Sequence, residues 1–241
     1  MAMLASHPEV LFLLLAPVIA TMAGGALSAV VDLGPKARSG VQHFAAGVIF
    51  AAVAGELLPE LSASHQPVYI LAGFLVGVVV MLGIQHATRG GDKPGTEPES
   101  RSGLKIAVAI DAAIDGLLLG LAFAAGEETG VIFTLALAME MFFLALSTGS
   151  ILRVDGAKTG ELFGMSVLLA AILAGSALLS LLVAGSLTGP ALVVAASLAA
   201  AALLFLVTEE LLVEAHETAE TPLLTALFFI GFIAIYLAGA V

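Results

Sequence analysis

Asp111 and Asp115 stand four residues apart inside an apolar stretch that runs from Lys105 to Gly126. In a helix that spacing is about one turn, so both carboxylates project from the same face. At a rise of about 1.5 Å per residue, a helix beginning near Leu104 carries Asp115 roughly 16 Å along its axis, half-way through a hydrocarbon layer about 30 Å thick. An aspartate held at that depth costs about 2.5–3.5 kcal/mol on insertion scales, so the pair must face protein, water or a cation. The next apolar stretch follows the short connection Glu127-Glu128-Thr129 and carries one intramembrane acid, Glu140. Two helices joined so tightly are antiparallel neighbours, and the same helical rise puts Glu140 at the depth of Asp115. No lysine or arginine lies in any apolar core. Three carboxylates that converge there repel one another unless a bound cation or shared protons offset the charge.

Further acids extend the series toward both faces. Glu56-Leu57-Leu58-Pro59-Glu60 ends one apolar segment, and Glu210-Leu211-Leu212-Val213-Glu214 ends another, with Glu209 before it and His216 after it. Similar endings at opposite faces are what inverted repeats produce, and alternating-access transporters commonly use such repeats. Read by depth, Glu56 and Glu60 lie toward one face, Asp115, Glu140 and Asp111 across the middle, and Glu209, Glu210, Glu214 and His216 toward the other. That is the layout of a cation path. Met139, beside Glu140, could add a thioether for a soft ion. His7, His43, His65 and His86 sit near segment ends and read as interfacial, and Ser147, Thr148, Ser166 and Ser176 are expected to satisfy their hydroxyls on the backbone one turn earlier.

The elements that must hold these groups are transmembrane helices. Of 241 residues 60% are hydrophobic and 11% charged, and the mean hydropathy is +1.13, which a soluble domain could not sustain. Eight apolar segments are separable, at about 8–32, 41–61, 67–88, 104–126, 129–150, 160–186, 190–214 and 221–241, forming one all-α transmembrane domain. Residues 89–103 read as a flexible loop. All eight Lys and Arg fall in odd-numbered connections, so the positive-inside rule places both termini outside. The Glu214 to Glu220 connection is then cytoplasmic despite its acidity. No basic residue precedes the first apolar run, which is therefore expected to remain as a spanning helix and not be cleaved as a signal peptide. Pairs of glycines at i, i+4, namely Gly73 and Gly77, Gly116 and Gly120, and Gly160 and Gly164, predict close helix crossings, with Gly73 and Gly77 also a candidate dimer seam.

Cysteine is absent, which removes disulfides, thiolate metal sites and thiol nucleophiles. An intramembrane aspartyl protease needs two aspartates on facing helices, whereas here both lie on one. The chain is therefore read as no enzyme, and nothing in it suggests a nucleic-acid partner.

At these residues the chain resembles the ZIP (Zrt/Irt-like) family of divalent metal transporters. The family's fourth helix carries His-Asn-x-Pro-Glu-Gly. Here the stretch is Asp111-Ala112-Ala113-Ile114-Asp115-Gly116, with Asp111 at the histidine position, Asp115 at the glutamate position and the glycine kept. The fifth-helix motif His/Gln-Glu/Asn/Asp-x-Pro-Glu-Gly is met by Met139-Glu140-Met141-Phe142-Phe143-Leu144, so that Glu140 keeps a ligand position, and Arg153 falls where a family arginine often ends the helix. Phe44-Ala45-Ala46-Gly47-Val48 through Glu60 looks like the second helix, with Glu56 where a histidine often stands. Thr208 through Glu217 looks like the seventh-helix ending.

Departures from the pattern are as informative. Ile114 and Phe142 replace both helix-kinking prolines, Phe143 replaces the fifth-helix glutamate, Ala112 replaces the asparagine, and Ala174-Gly175-Ser176 holds no acid in the sixth helix. The two-metal centre is reduced to one oxygen-rich site, which suits Mn²⁺ or Mg²⁺, with Fe²⁺ and zinc also possible. The resemblance implies import of a divalent cation, as substrate and not as resident cofactor, across the plasma (inner) membrane. Asp111, Asp115 and Glu140 would be midplane ligands, Glu56 a gate, and Glu209, Glu210 and His216 the exit. It further implies an elevator motion of helices one, four, five and six against two, three, seven and eight, within a homodimer. The alternatives are a proton-coupled transporter of another solute and a ZIP-derived metal-binding protein that no longer transports.

Overall fold

The computed structural model describes residues 8–31, 34–89, 101–184 and 186–238. The described residues form eight helices joined by short turns and irregular connections: α1 (Pro8–Ser28), α2 (Pro35–Ala63), α3 (Pro67–Arg89), α4 (Arg101–Ala125), α5 (Glu127–Val154), α6 (Thr159–Ala184), α7 (Pro190–Ala215) and α8 (Pro222–Ala238). Five of them open on proline, whose fixed φ and missing N–H suit a first helical position. α2 through α7 are long and apolar enough to cross a membrane, whereas α1 and α8 are shorter. Much of the outer surface is apolar, as on α3, where Val68, Leu71, Leu75 and Val79 are exposed. The protein is a helical membrane protein.

Several helix ends differ from the sequence expectation: α1 ends at Ser28 where 32 was expected, α2 begins at Pro35 where 41 was expected, and α5 runs on to Val154 past the expected 150. The long connection differs as well. α3 continues to Arg89 and α4 already begins at Arg101, so the expected loop at 89–103 is helical at both edges; residues 90–100 lie outside the described residues, as does His7. α4 and α5 run without interruption through Ile114 and Phe142, where proline would have freed backbone carbonyls.

The helices sort into two groups. α1, α4, α5 and α6 pack mainly on one another, through α1 with α5 and α4 with α6; α2, α3, α7 and α8 do the same, through α2 with α8 and α3 with α7. α2 and α7 run antiparallel, since the start of α2 meets the end of α7: Ser39 Oγ donates to the Ala215 carbonyl at 2.7 Å, and Arg38 pairs with Glu214 at 3.5 Å.

The pairs α2–α3 and α7–α8 share features at one fixed sequence offset. α2 is interrupted by a π turn at Val53–Leu57 and α7 by a π turn at Val207–Leu211, each 154 positions from its counterpart (53 to 207). The crossings repeat at the same offset. A Cβ on Gly231 of α8 would stand 2.2 Å from the Phe44 carbonyl oxygen of α2, and one on Gly77 of α3 would stand 2.8 Å from the Leu198 carbonyl oxygen of α7 (44 to 198, 77 to 231). Helices in lipid have little hydrophobic drive to associate, so these backbone approaches carry the packing.

Of the other glycine pairs, Gly116 and Gly120 pack α4 against Ser176 and Ser180 of α6, while Gly160 and Gly164 meet nothing within 4 Å. Gly73 and Gly77 are both occupied by α7 within the chain. They leave no seam for a second copy.

Candidate functional site

At the end of the bundle where α2 and α4 begin and α5 and α7 finish, the two helix groups enclose a cavity of about 110 Å³. Each wall follows a helical repeat. α4 contributes Leu104, Val108 and Asp111; α5 contributes Glu140, Leu144, Ser147, Thr148 and Ile151; α7 contributes Leu206, Glu210, Leu211 and Glu214; α2 contributes Arg38, Val41, Gln42 and Ala45. The spacings of three, four and seven residues put each set on one face. A cavity of this size and polarity admits several water molecules.

Four acids of the sequence series line it: Asp111, Glu140, Glu210 and Glu214. Asp111 is half-buried and Glu140 buried. Asp115, one turn deeper on α4, does not itself line the cavity and is fully buried; neither of its carboxylate oxygens has a hydrogen-bond partner. Glu140 and Glu210 act on it electrostatically, and Glu210 acts on Asp111 and Glu140 as well. Four carboxylates from α4, α5 and α7 thus share one low-dielectric region. Among the described residues no three His, Asp or Glu side chains stand close enough to form a preassembled metal cluster.

The π turn explains how Glu210 joins this group. A single wider turn shifts the face of α7 relative to a regular helix, a device frequent at functional sites. Glu210 falls within that turn, and its counterpart Glu56 falls within the π turn of α2.

The remaining candidates lie elsewhere. Glu56 is half-buried toward the other end of the bundle and lines no part of the cavity. Glu209 and His216 are exposed; the His216 ring meets that of His43 edge-on at 5.2 Å, and its Nε2 lies 3.0 Å from Glu220 Oε1. Met139 turns away from Glu140 into a separate apolar groove between α2, α5 and α8. His43, read from sequence as interfacial, is buried, and its Nδ1 donates to the Ser39 carbonyl at 2.9 Å.

The expectation for the serines holds at Ser166 and Ser176, which bond back to the preceding turn, and fails at Ser147, whose Oγ is buried with no hydrogen-bond partner. The roles of Arg38 and Gln42 at the site escaped the sequence reading. Gln42 and Arg38 both reach Glu214, which supplies a reason for the acidic ending of α7: Glu214 meets a base and an amide of the first turns of α2. The signal for Ser147 and Thr148 was their position two turns beyond Glu140 on the same face. For Arg38 and Gln42 no local signal exists, because their relation to Glu214 depends on how α2 and α7 cross.

No protein-family model matches the chain, and no curated protein matches it.

Proposed function

We propose that this protein is a transmembrane transporter of a divalent cation, carried through the carboxylate cavity between α4, α5 and α7. Asp115 is the observation that carries the reading: a fully buried carboxylate, both oxygens without a hydrogen-bond donor, is costly unless something positive reaches it. Asp111, Glu140 and Glu210 supply further oxygen ligands along the approach, with the hydroxyl of Ser147 beside them. The cavity wall holds no histidine, cysteine or methionine, a donor set suited to Mn²⁺ or Mg²⁺ ahead of soft ions. A partly hydrated ion fits a cavity whose acids are spread out.

The features shared at one offset by α2–α3 and α7–α8, with α2 and α7 antiparallel, support alternating access, in which α1, α4, α5 and α6 move against the other four. The resemblance to ZIP proteins stated from sequence supports eight spans with both termini outside, the cavity facing the cytoplasm, and a homodimer in the plasma (inner) membrane. One specific observation favours a second reading: α4 and α5 are unbroken helices, which suits a metal-binding protein derived from such transporters that no longer moves its ion.

Flux into proteoliposomes separates the two. Accumulation of Mn²⁺ or Mg²⁺ by wild-type vesicles, abolished by Asp115→Asn, is the outcome expected of a transporter. Ion binding by wild type without accumulation leaves only the binding protein, and neither binding nor flux removes the metal altogether.

A further inference from the structure

The apolar groove between α2, α5 and α8 lies at the same end of the bundle as the ion cavity, on the other side of a shared wall. Val41 and Phe143 line both spaces. Its volume is about 710 Å³, and Phe44, Met139 and Leu227 form its floor and sides. One charged residue lines it, Lys36, exposed near the start of α2. Among the described residues, Arg38 and Lys105 have carboxylate partners in Glu214 and Glu161, whereas no carboxylate pairs with Lys36.

An apolar trough that ends at a cation is complementary to an amphiphile with an anionic head. At the boundary of a membrane-spanning bundle that amphiphile is a phospholipid. We propose that this groove is a binding site for one anionic glycerophospholipid, with an acyl chain lying along Phe44, Met139 and Leu227 and the phosphate at the Lys36 ammonium. The groove is bounded by helices of both groups, α2 and α8 from one and α5 from the other, so a chain seated there packs against the outer side of the Val41 and Phe143 wall. The site needs only membrane placement and does not depend on ion transport.

The chain contains no tryptophan, so Leu223→Trp, at the exposed rim of the groove, gives a single fluorophore. The full-length variant is reconstituted in vesicles of phosphatidylcholine containing either brominated phosphatidylglycerol or brominated phosphatidylcholine at equal mole fraction. Stronger quenching by the anionic lipid is expected. Adding Lys36→Gln should reduce that preference about fivefold, the worth of one basic side chain at an anionic surface, while Lys36→Arg restores it and Lys158→Gln leaves it unchanged. Equal quenching by the two lipids overturns the proposal, as does an anionic preference that survives Lys36→Gln. Should Lys36→Gln fail to fold, the Lys36→Arg variant and a loss of preference in high salt provide the same decision.

Discussion

The Thr129 hydroxyl of α5 donates to the Glu60 carboxylate of α2 at 3.2 Å, joining the two helix groups at the end opposite the cavity. Glu60 and Glu214 stand at the fixed offset between the two helix pairs (60 to 214), yet Glu214 binds Arg38 and Gln42 inside its own group. The bundle is therefore tied across groups at the Glu60 end and holds its cavity at the Glu214 end.

Loosening that tie should open the far side. Thr129→Val removes the donor while keeping the side-chain shape, and loss of one such bond is worth about 1 kcal/mol, or roughly fivefold in a conformational equilibrium. Because the chain has no cysteine, Glu56→Cys is a unique label site. A membrane-impermeant maleimide should react with it several times faster in the Thr129→Val background. Equal rates would show that the bond does not hold that end closed.

Asp115 should cost stability for the sake of binding. Asp115→Asn removes a buried charge whose oxygens have no partner, so the ion-free protein is expected to unfold at the same or a higher temperature, with a gain of up to about 1–3 kcal/mol. Added Mn²⁺ at a hundredfold excess over its dissociation constant should stabilise wild type by about 2.7 kcal/mol and the variant hardly at all. Thermal unfolding in detergent measures both. A variant less stable than wild type without ion would mean that the carboxylate has a structural partner.

The glycine crossings give a contrast free of any functional assumption. A Cβ at Gly47 would stand 1.9 Å from the Phe228 carbonyl oxygen, and one at Gly164 would meet nothing within 4 Å. Gly47→Ala should force α2 and α8 apart at a cost of about 3 kcal/mol or more. Gly164→Ala should stay within about 0.5 kcal/mol of wild type or gain slightly in helix propensity. Unfolding midpoints compared side by side decide the matter.

Metal preference should follow the donor atoms. With only oxygen donors on the cavity wall, Mn²⁺ is expected to bind at least as tightly as Cd²⁺. Glu140→His should reverse that order by introducing an imidazole. Isothermal titration with the two ions on both proteins is the check, and tighter Cd²⁺ binding by wild type would point to a soft ligand.

Much of this architecture was legible in the chain itself. Hydrophobic runs punctuated by proline and glycine marked the helices to within about four residues, because membrane burial leaves the backbone few alternatives to a helix. The exception is the start of α2, placed six residues late because its first turn is polar and basic. The acids at 111, 115 and 140 stood out because charge is expensive in an apolar run. The twin endings at Glu56 and Glu210 were visible as a short repeat, but the π turns that they occupy were not, since neither turn has a residue pattern of its own.

Which acids meet was decided by packing. Glu210 enters the cavity and Glu209 remains outside it because one wide turn fixes the facing of α7, and Met139 is turned from its neighbour Glu140 by the helical step. Gly73 and Gly77 were equally suited by sequence to a second copy or to another helix of the same chain; the crossing with α7 takes them. Arg38, Gln42 and Glu214 are more than 170 positions apart at their contacts, and only the antiparallel course of α2 and α7 brings them together. Residue type and spacing set what each helix can offer, whereas the angle and depth at which helices cross set which offers coincide.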